Sequence, residues 1–236
     1  MKPEDYNRRE AEAGRLTWEH ITEAIRFWQG STGLTVDGKA GPKTRASLEP
    51  DLDLDMMHVD DNGWLQGFGV TVIAAHPTWG QKRMLTGSGN PNAIVAHYTA
   101  TGHGTAVSMA KRRTVRFDSQ KHRFASWHVS IEGDGSIVQM IPFNRSAWHA
   151  GGGKLLNGLS PNRCAVGIEL VGFGDSFPDN QIRAAMRVWR AIVKKYGIAR
   201  DRAMIEHSRI SPRRRSDPGP VWMNRHAQSV LSYAYA

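Results

Sequence analysis

Two nearly unbroken apolar runs, A-I-V-A-H-Y at 93–98 and C-A-V-G-I-E-L-V at 164–171, constrain this 236-residue chain more than any other feature. A strand wetted on one face alternates apolar and polar residues, whereas a strand covered on both faces reads as a continuous apolar stretch. Both runs therefore predict central, buried strands. Each is broken by a single ionisable residue, His97 at the end of the first and Glu169 inside the second. A carboxylate in such a strand is expensive to bury unless it is paired, hydrated or used, which marks Glu169 on physical grounds alone.

The elements that would cover these strands are also visible. Ile182, Ala185, Met186, Trp189, Ile192, Val193 and Tyr196 recur at helical spacing, which predicts an amphipathic helix over 179–196 with Asp179 as N-cap and Gly197 as C-cap. Val221 to Tyr233 reads as a closing helix, and Thr105 to Arg116 as a helix with a basic outer face. Runs at 127–132 and 136–141 are joined by Gly133-Asp134-Gly135, a hairpin signal, and 67–75 reads as an edge strand. The acidic, patternless segment 49–63 marks a linker or domain edge.

The formal net charge of +9 fits nucleic acid, a membrane surface or an anionic polymer equally well. The basic clusters K-R-R-T-V-R (111–116) and R-R-R (213–215) lack interleaved aromatics and match no nucleic-acid motif, so the first is expected to be a solvated face and no nucleic-acid partner is expected. No apolar run is long enough to span a bilayer, and the start M-K-P-E-D-Y-N-R-R-E has no apolar leader core, so no membrane insertion is expected. The single cysteine, Cys164, excludes an intrachain disulfide. It reads as a small buried hydrophobe rather than a thiol nucleophile.

The stretch I-E-H-S-R-I-S-P-R-R-R-S-D-P-G-P (205–220) sets His207 and Asp217 ten positions apart. A zinc site that does chemistry takes three protein ligands and leaves the fourth position to water. His97, delivered by the end of a buried strand, is the best third partner.

The series H-Y-T-A, S-W-H, D-G-S-I-V-Q, W-H-A-G, N-x-x-x-x-G-I-E-L and H-S-x-I-S-P-x-R-x-S-D-P-G, over roughly 97–222, resembles the zinc-dependent N-acetylmuramoyl-L-alanine amidases of type 2, relatives of the peptidoglycan recognition proteins. The resemblance implies an α/β fold, a central mixed β-sheet flanked by helices. It implies Zn2+ held by His97, His207 and Asp217, with Glu169 as the proton-handling carboxylate. Arg215 stands where the family has a lysine that stabilises the oxyanion, and either keeps that role with altered geometry or leaves it to a donor elsewhere. The resemblance assigns His128, His149 and Asn162 to the substrate groove; for His128, a core histidine of a sheet face is the competing reading.

Ahead of these motifs, Trp18, Ile21, Ala24, Ile25 and Trp28 share a helical face behind Thr17 as N-cap, and Pro42 suits the start of a second short helix. The segment F-W-Q followed by G-L-T-V-D-G-K-A-G-P-K-T resembles the second half of a small helical peptidoglycan-binding module; the alternative is a helical arm packed on the enzyme. The expected organisation is a small all-helical module at 1–50, a linker at 51–66 and a zinc amidase domain at 67–236. Together these features look like a phage or prophage endolysin, a monomer made in the host cytoplasm and acting on cell-wall peptidoglycan after release through a separate pore. A cytosolic amidase that recycles anhydro-muropeptides, and a recognition protein that binds peptidoglycan without zinc, are the alternatives.

Overall fold

The computed structural model describes residues 12–14, 17–31, 33–41, 43–44, 47, 57–82, 84–122, 125–155, 158–212 and 216–236. The chain divides into two compact units, 1–53 and 54–236.

In the smaller unit, helix α1 (Trp18–Ser31) starts where expected. The Thr17 hydroxyl accepts from the His20 amide at 3.3 Å, and the His20 ring accepts from the Thr17 amide at 3.2 Å, a reciprocal cap that satisfies otherwise orphaned N–H groups. Of the expected apolar face, Ile21, Ile25 and Trp28 are half-buried while Trp18 is 82% exposed. The organising residue is polar. The buried Gln29 amide donates to Asp37 Oδ1, Lys39 O and Thr44 Oγ1, and its Oε1 accepts from the amides of Asp37 and Gly38. One side chain thus ties the helix to the turn at 37–44. Pro42 lies outside the described residues.

The larger unit is built on a sheet that, among the described residues, has six strands in the order β3-β6-β5-β7-β4-β8. These are β3 (Val70–Val72), β4 (Ala93–Tyr98), β5 (Val129–Ile131), β6 (Ile137–Gln139), β7 (Ala165–Leu170) and β8 (Ile205–Glu206). Only β5 and β6 pair antiparallel, through the expected hairpin; the other neighbours are parallel. The mixed sheet flanked by helices is the fold class the sequence implied. The two apolar runs are its central strands β7 and β4.

Side chains alternate between faces along a strand, and here the two faces do different things. Ile94 and Ala96 of β4 with Val166, Ile168 and Leu170 of β7 pack in one core with Val188, Trp189 and Ile192 of the long helix α3 (Asp179–Tyr196). Val95, His97, Gly167 and Glu169 lie on the opposite face. The long apolar runs are therefore one helix-covered face interleaved with one face that carries chemistry.

Several expectations are revised in detail. The cap of α3 is Pro178, with Asp179 as the first helical residue, whereas Gly197 ends the helix in the left-handed region (φ 62°), its amide bonding Val193 O at 2.8 Å. Helix α2 covers only Ala106–Lys111. The closing helix is two, α5 (Gly219–Arg225) and α6 (Ala227–Ala234), broken at His226; the short α4 (His207–Ile210) precedes them. A ribbon of β1 (His58–Val59) and β2 (Leu65–Gln66) falls inside the expected linker, and its Met57, Val59 and Leu65 join the main core. The larger unit therefore begins before residue 67. No helix among the described residues is long and apolar enough to cross a membrane.

Trp189 is fully buried beside Trp222, with ring centroids 6.1 Å apart, and its indole N–H donates to Ala203 O at 2.6 Å. Trp189→Ala is expected to cost about 3–5 kcal/mol, read as a lower midpoint in guanidinium unfolding. A loss below about 1 kcal/mol would mean that this core collapses around the gap.

Candidate metal centre

The site lies at the carboxyl ends of the parallel strands, where open α/β sheets bind ligands. His97 is the fifth residue of β4, and Glu169 stands opposite it in register on β7. Strand β8 pairs with β4 and is followed at once by His207, the first residue of α4. The Ser208 amide donates to Asp217 O at 3.0 Å, which draws the far end of the 207–217 loop back to its start.

These three residues converge. His97 Nδ1 is 2.8 Å from Asp217 Oδ2 and 3.0 Å from His207 Nδ1, and His207 Nδ1 is 3.0 Å from the same carboxylate oxygen. All three side chains are buried. They form a group able to hold a metal ion among the described residues. Two imidazole nitrogens and a carboxylate oxygen crowded on one point are electron-rich atoms that a cation would satisfy together, and two imidazoles with one carboxylate are a donor set that suits zinc. Burial alone would raise the Asp217 carboxyl, but the adjoining imidazoles of His207 and His97 hold it well below the usual carboxylate range. A carboxylate that stays ionised is what a divalent ion needs.

Glu169 is half-buried. Facing it electrostatically is Arg113, which the sequence placed on a solvated basic face. Arg113 instead turns inward: its guanidinium lies 4.2 Å from the Trp127 ring centroid and 5.3 Å from that of Trp79, and it donates to Ala125 O and Met109 O. Burial pushes it down to about 10, partly offset by the negative charge of Glu169. No spacing in the sequence distinguishes Arg113 from its exposed neighbour Arg112.

Of the three residues the resemblance assigns to the substrate groove, His128 and His149 are buried and Asn162 is half-buried. His128 is wholly buried; its Nε2–H donates to Arg145 O at 2.8 Å and its Nδ1 accepts from the Gly167 amide at 2.9 Å. Burial pushes it down to about 4, and the backbone takes up both ring nitrogens. His149 is buried too, with Nδ1 3.0 Å from His97 Nε2 and Nε2 3.3 Å from Ala165 O. Burial, then the neighbouring imidazoles, hold it well below the ordinary histidine range. Asn162 Oδ1 accepts from the amides of His149 and Ala150, and its Nδ2 donates to Gly151 O, clamping the loop that carries His149. Arg215 lies outside the described residues. The Cys164 thiol donates to Ser160 O and is pushed up to about 11 by burial, which suits a packing residue and not a nucleophile.

A mixed sheet with helices on its faces and a His–His–Asp cluster at its carboxyl edge defines an α/β protein with a buried three-donor group able to hold a metal ion. The chain belongs to the N-acetylmuramoyl-L-alanine amidase family, whose model matches residues 87–220, more than half of it. It is 36% identical over 114 residues to the 1,6-anhydro-N-acetylmuramyl-L-alanine amidase AmpD of Salmonella typhimurium, a match covering 47% of this chain and 60% of that protein. The chain thus spans less than two thirds of that relative. A solved structure of AmpD superposes with a TM-score of 0.61 at 26% identity, covering 74% of this chain and 99% of the other. A mutant endolysin from Bacillus subtilis superposes at 0.50 with 20% identity, covering 70% and 98%, a likeness of fold.

Proposed function

We propose that this protein hydrolyses the amide joining the lactyl group of N-acetylmuramic acid to L-alanine of the stem peptide, with zinc held by His97, His207 and Asp217. The observation that carries the reading is the convergence of three buried donors on one point, with a carboxylate opposite His97 on the adjacent strand. Zinc bound there would bring the pKa of a coordinated water to about 7 and polarise the scissile carbonyl. Glu169 takes the proton of the attacking water and returns it to the departing L-alanine nitrogen as the C–N bond breaks. Arg215, on the sequence resemblance alone, stabilises the oxyanion.

Polymeric cell wall is the proposed substrate, as for a lytic endolysin, with the smaller unit as wall binder. Support comes from the Gln29-centred unit, which a catalytic domain does not need for its own site. The second reading is an amidase that recycles soluble anhydro-muropeptides, favoured by the likeness to AmpD. Digestion of purified sacculi and of a soluble anhydro-muropeptide, followed by mass spectrometry, tests both. Release of intact stem peptides from sacculi is expected, with that activity but not activity on the soluble substrate lost from a chain beginning near residue 54. Equal activity of both chains on sacculi would remove the wall-binding role; cleavage of the soluble substrate alone would favour recycling. Cleavage at any other bond would overturn the amidase reading.

A further inference from the structure

We infer that His149 is a positioning residue for the metal centre: it fixes which ring nitrogen of His97 is bare, and hence which can take the metal. The inference rests on the zinc reading above, but its geometry is that of the protein alone. A backbone carbonyl oxygen can only accept, so His149 Nε2, 3.3 Å from Ala165 O, carries the hydrogen. In a neutral imidazole the other nitrogen is then a lone pair. His149 Nδ1 presents that lone pair to His97 Nε2 at 3.0 Å, which makes His97 Nε2 the donor and directs its remaining nitrogen, Nδ1, to Asp217 and His207. The direction of the whole chain is set by one peptide carbonyl of β7.

The surroundings are shaped to seat this ring. Gly167 leaves the space: a Cβ there would lie 2.4 Å from His149 Cγ, a distance no side chain tolerates. Asn162 holds the His149 backbone. The rings of His97 and His149 meet edge to face with centroids 5.2 Å apart, so the ligand cannot turn over without displacing its neighbour. Outer partners that orient a metal-binding histidine commonly contribute 10–100-fold to metal affinity.

The test uses long-range proton–nitrogen NMR of the whole chain, with and without zinc, and zinc affinity by competition with a chromophoric chelator. His149 is expected to be the Nε2–H tautomer in both states, since Ala165 and not the metal sets it. In the zinc-loaded protein a slowly exchanging His97 Nε2–H should couple to His149 Nδ1 across the hydrogen bond. His149→Phe fills the space without an acceptor and is expected to weaken zinc binding roughly 10–100-fold. His149→Asn, which can place an acceptor where Nδ1 stands, should recover much of it. A merely structural role would not distinguish Phe from Asn in this order. Finding His149 as the Nδ1–H tautomer or as a cation overturns the inference, as does unchanged zinc affinity in a folded Phe variant. If the Phe variant does not fold, the wild-type tautomer decides. A wild-type chain that takes up no zinc, yet shows the expected His149 tautomer, sinks the zinc reading and leaves the hydrogen-bond direction standing.

Discussion

Asp217→Ala is expected to leave the protein folded with a zinc content near zero, against about one per chain in the wild type. Turnover should fall by a factor on the order of a thousand or more, because a metal's polarisation of water and carbonyl is worth several kcal/mol. The reason lies in the charge balance of the cluster. His97 and His207 bind a metal as neutral rings, so Asp217 is the only anion among the three donors, and its oxygen is the one both imidazoles approach, at 2.8 and 3.0 Å. Removing it leaves two neutral donors, too few for a stable site. Asp217→Asn, which keeps the shape and loses the charge, should also fail to hold zinc tightly. Chelator treatment of the wild type should reproduce the loss, and added zinc should restore it. Full zinc content and ordinary turnover in the Ala variant would show that the chemistry is centred elsewhere.

Glu169→Gln is expected to give the opposite combination: zinc retained, fold retained and turnover lowered about a hundredfold or more. Glu169 is not among the donors that converge on the metal point, and glutamine keeps its size while losing the ability to accept a proton. Retention of zinc is what separates a proton carrier from a ligand. If the Gln variant loses zinc, Glu169 belongs to the coordination sphere and the proton transfer must be reassigned. Near-normal turnover would mean that another group takes the proton from the water.

The parts of this site that were legible in the sequence are those whose signal is local. His97 and Glu169 stand out because each interrupts an otherwise apolar strand, and α3 because eighteen residues leave room for a clear helical period. What escaped has no local signal. Strands β1 and β2 are two residues each, too short to show a period, and so read as linker. Arg113 differs from Arg112 only in what it meets after folding, the faces of Trp79 and Trp127. His128, His149 and Asn162 sit in the motifs expected to mark a site, but their partners are the Gly167 amide, the Ala165 carbonyl and the backbone of 149–151. A motif shows that a residue matters; only the fold shows whether it faces substrate or holds another residue in place. His226 parts the closing segment into α5 and α6, although the apolar pattern runs on through it.

The register that sets His97 opposite Glu169 divides this centre into a fixed half and an exchangeable half. Neighbouring strands keep a spacing of about 4.8 Å whatever loops adjoin them, so the separation of the proposed metal-holding ring from the proposed proton carrier is built into the ladder between β4 and β7. His207 and Asp217 come from one excursion off the edge strand, tied at its base by the Ser208 amide. An engineer could lengthen or recharge the sequence between them, which includes the three consecutive arginines 213–215, to change what the protein grips. The separation of His97 from Glu169 across the ladder would stay the same.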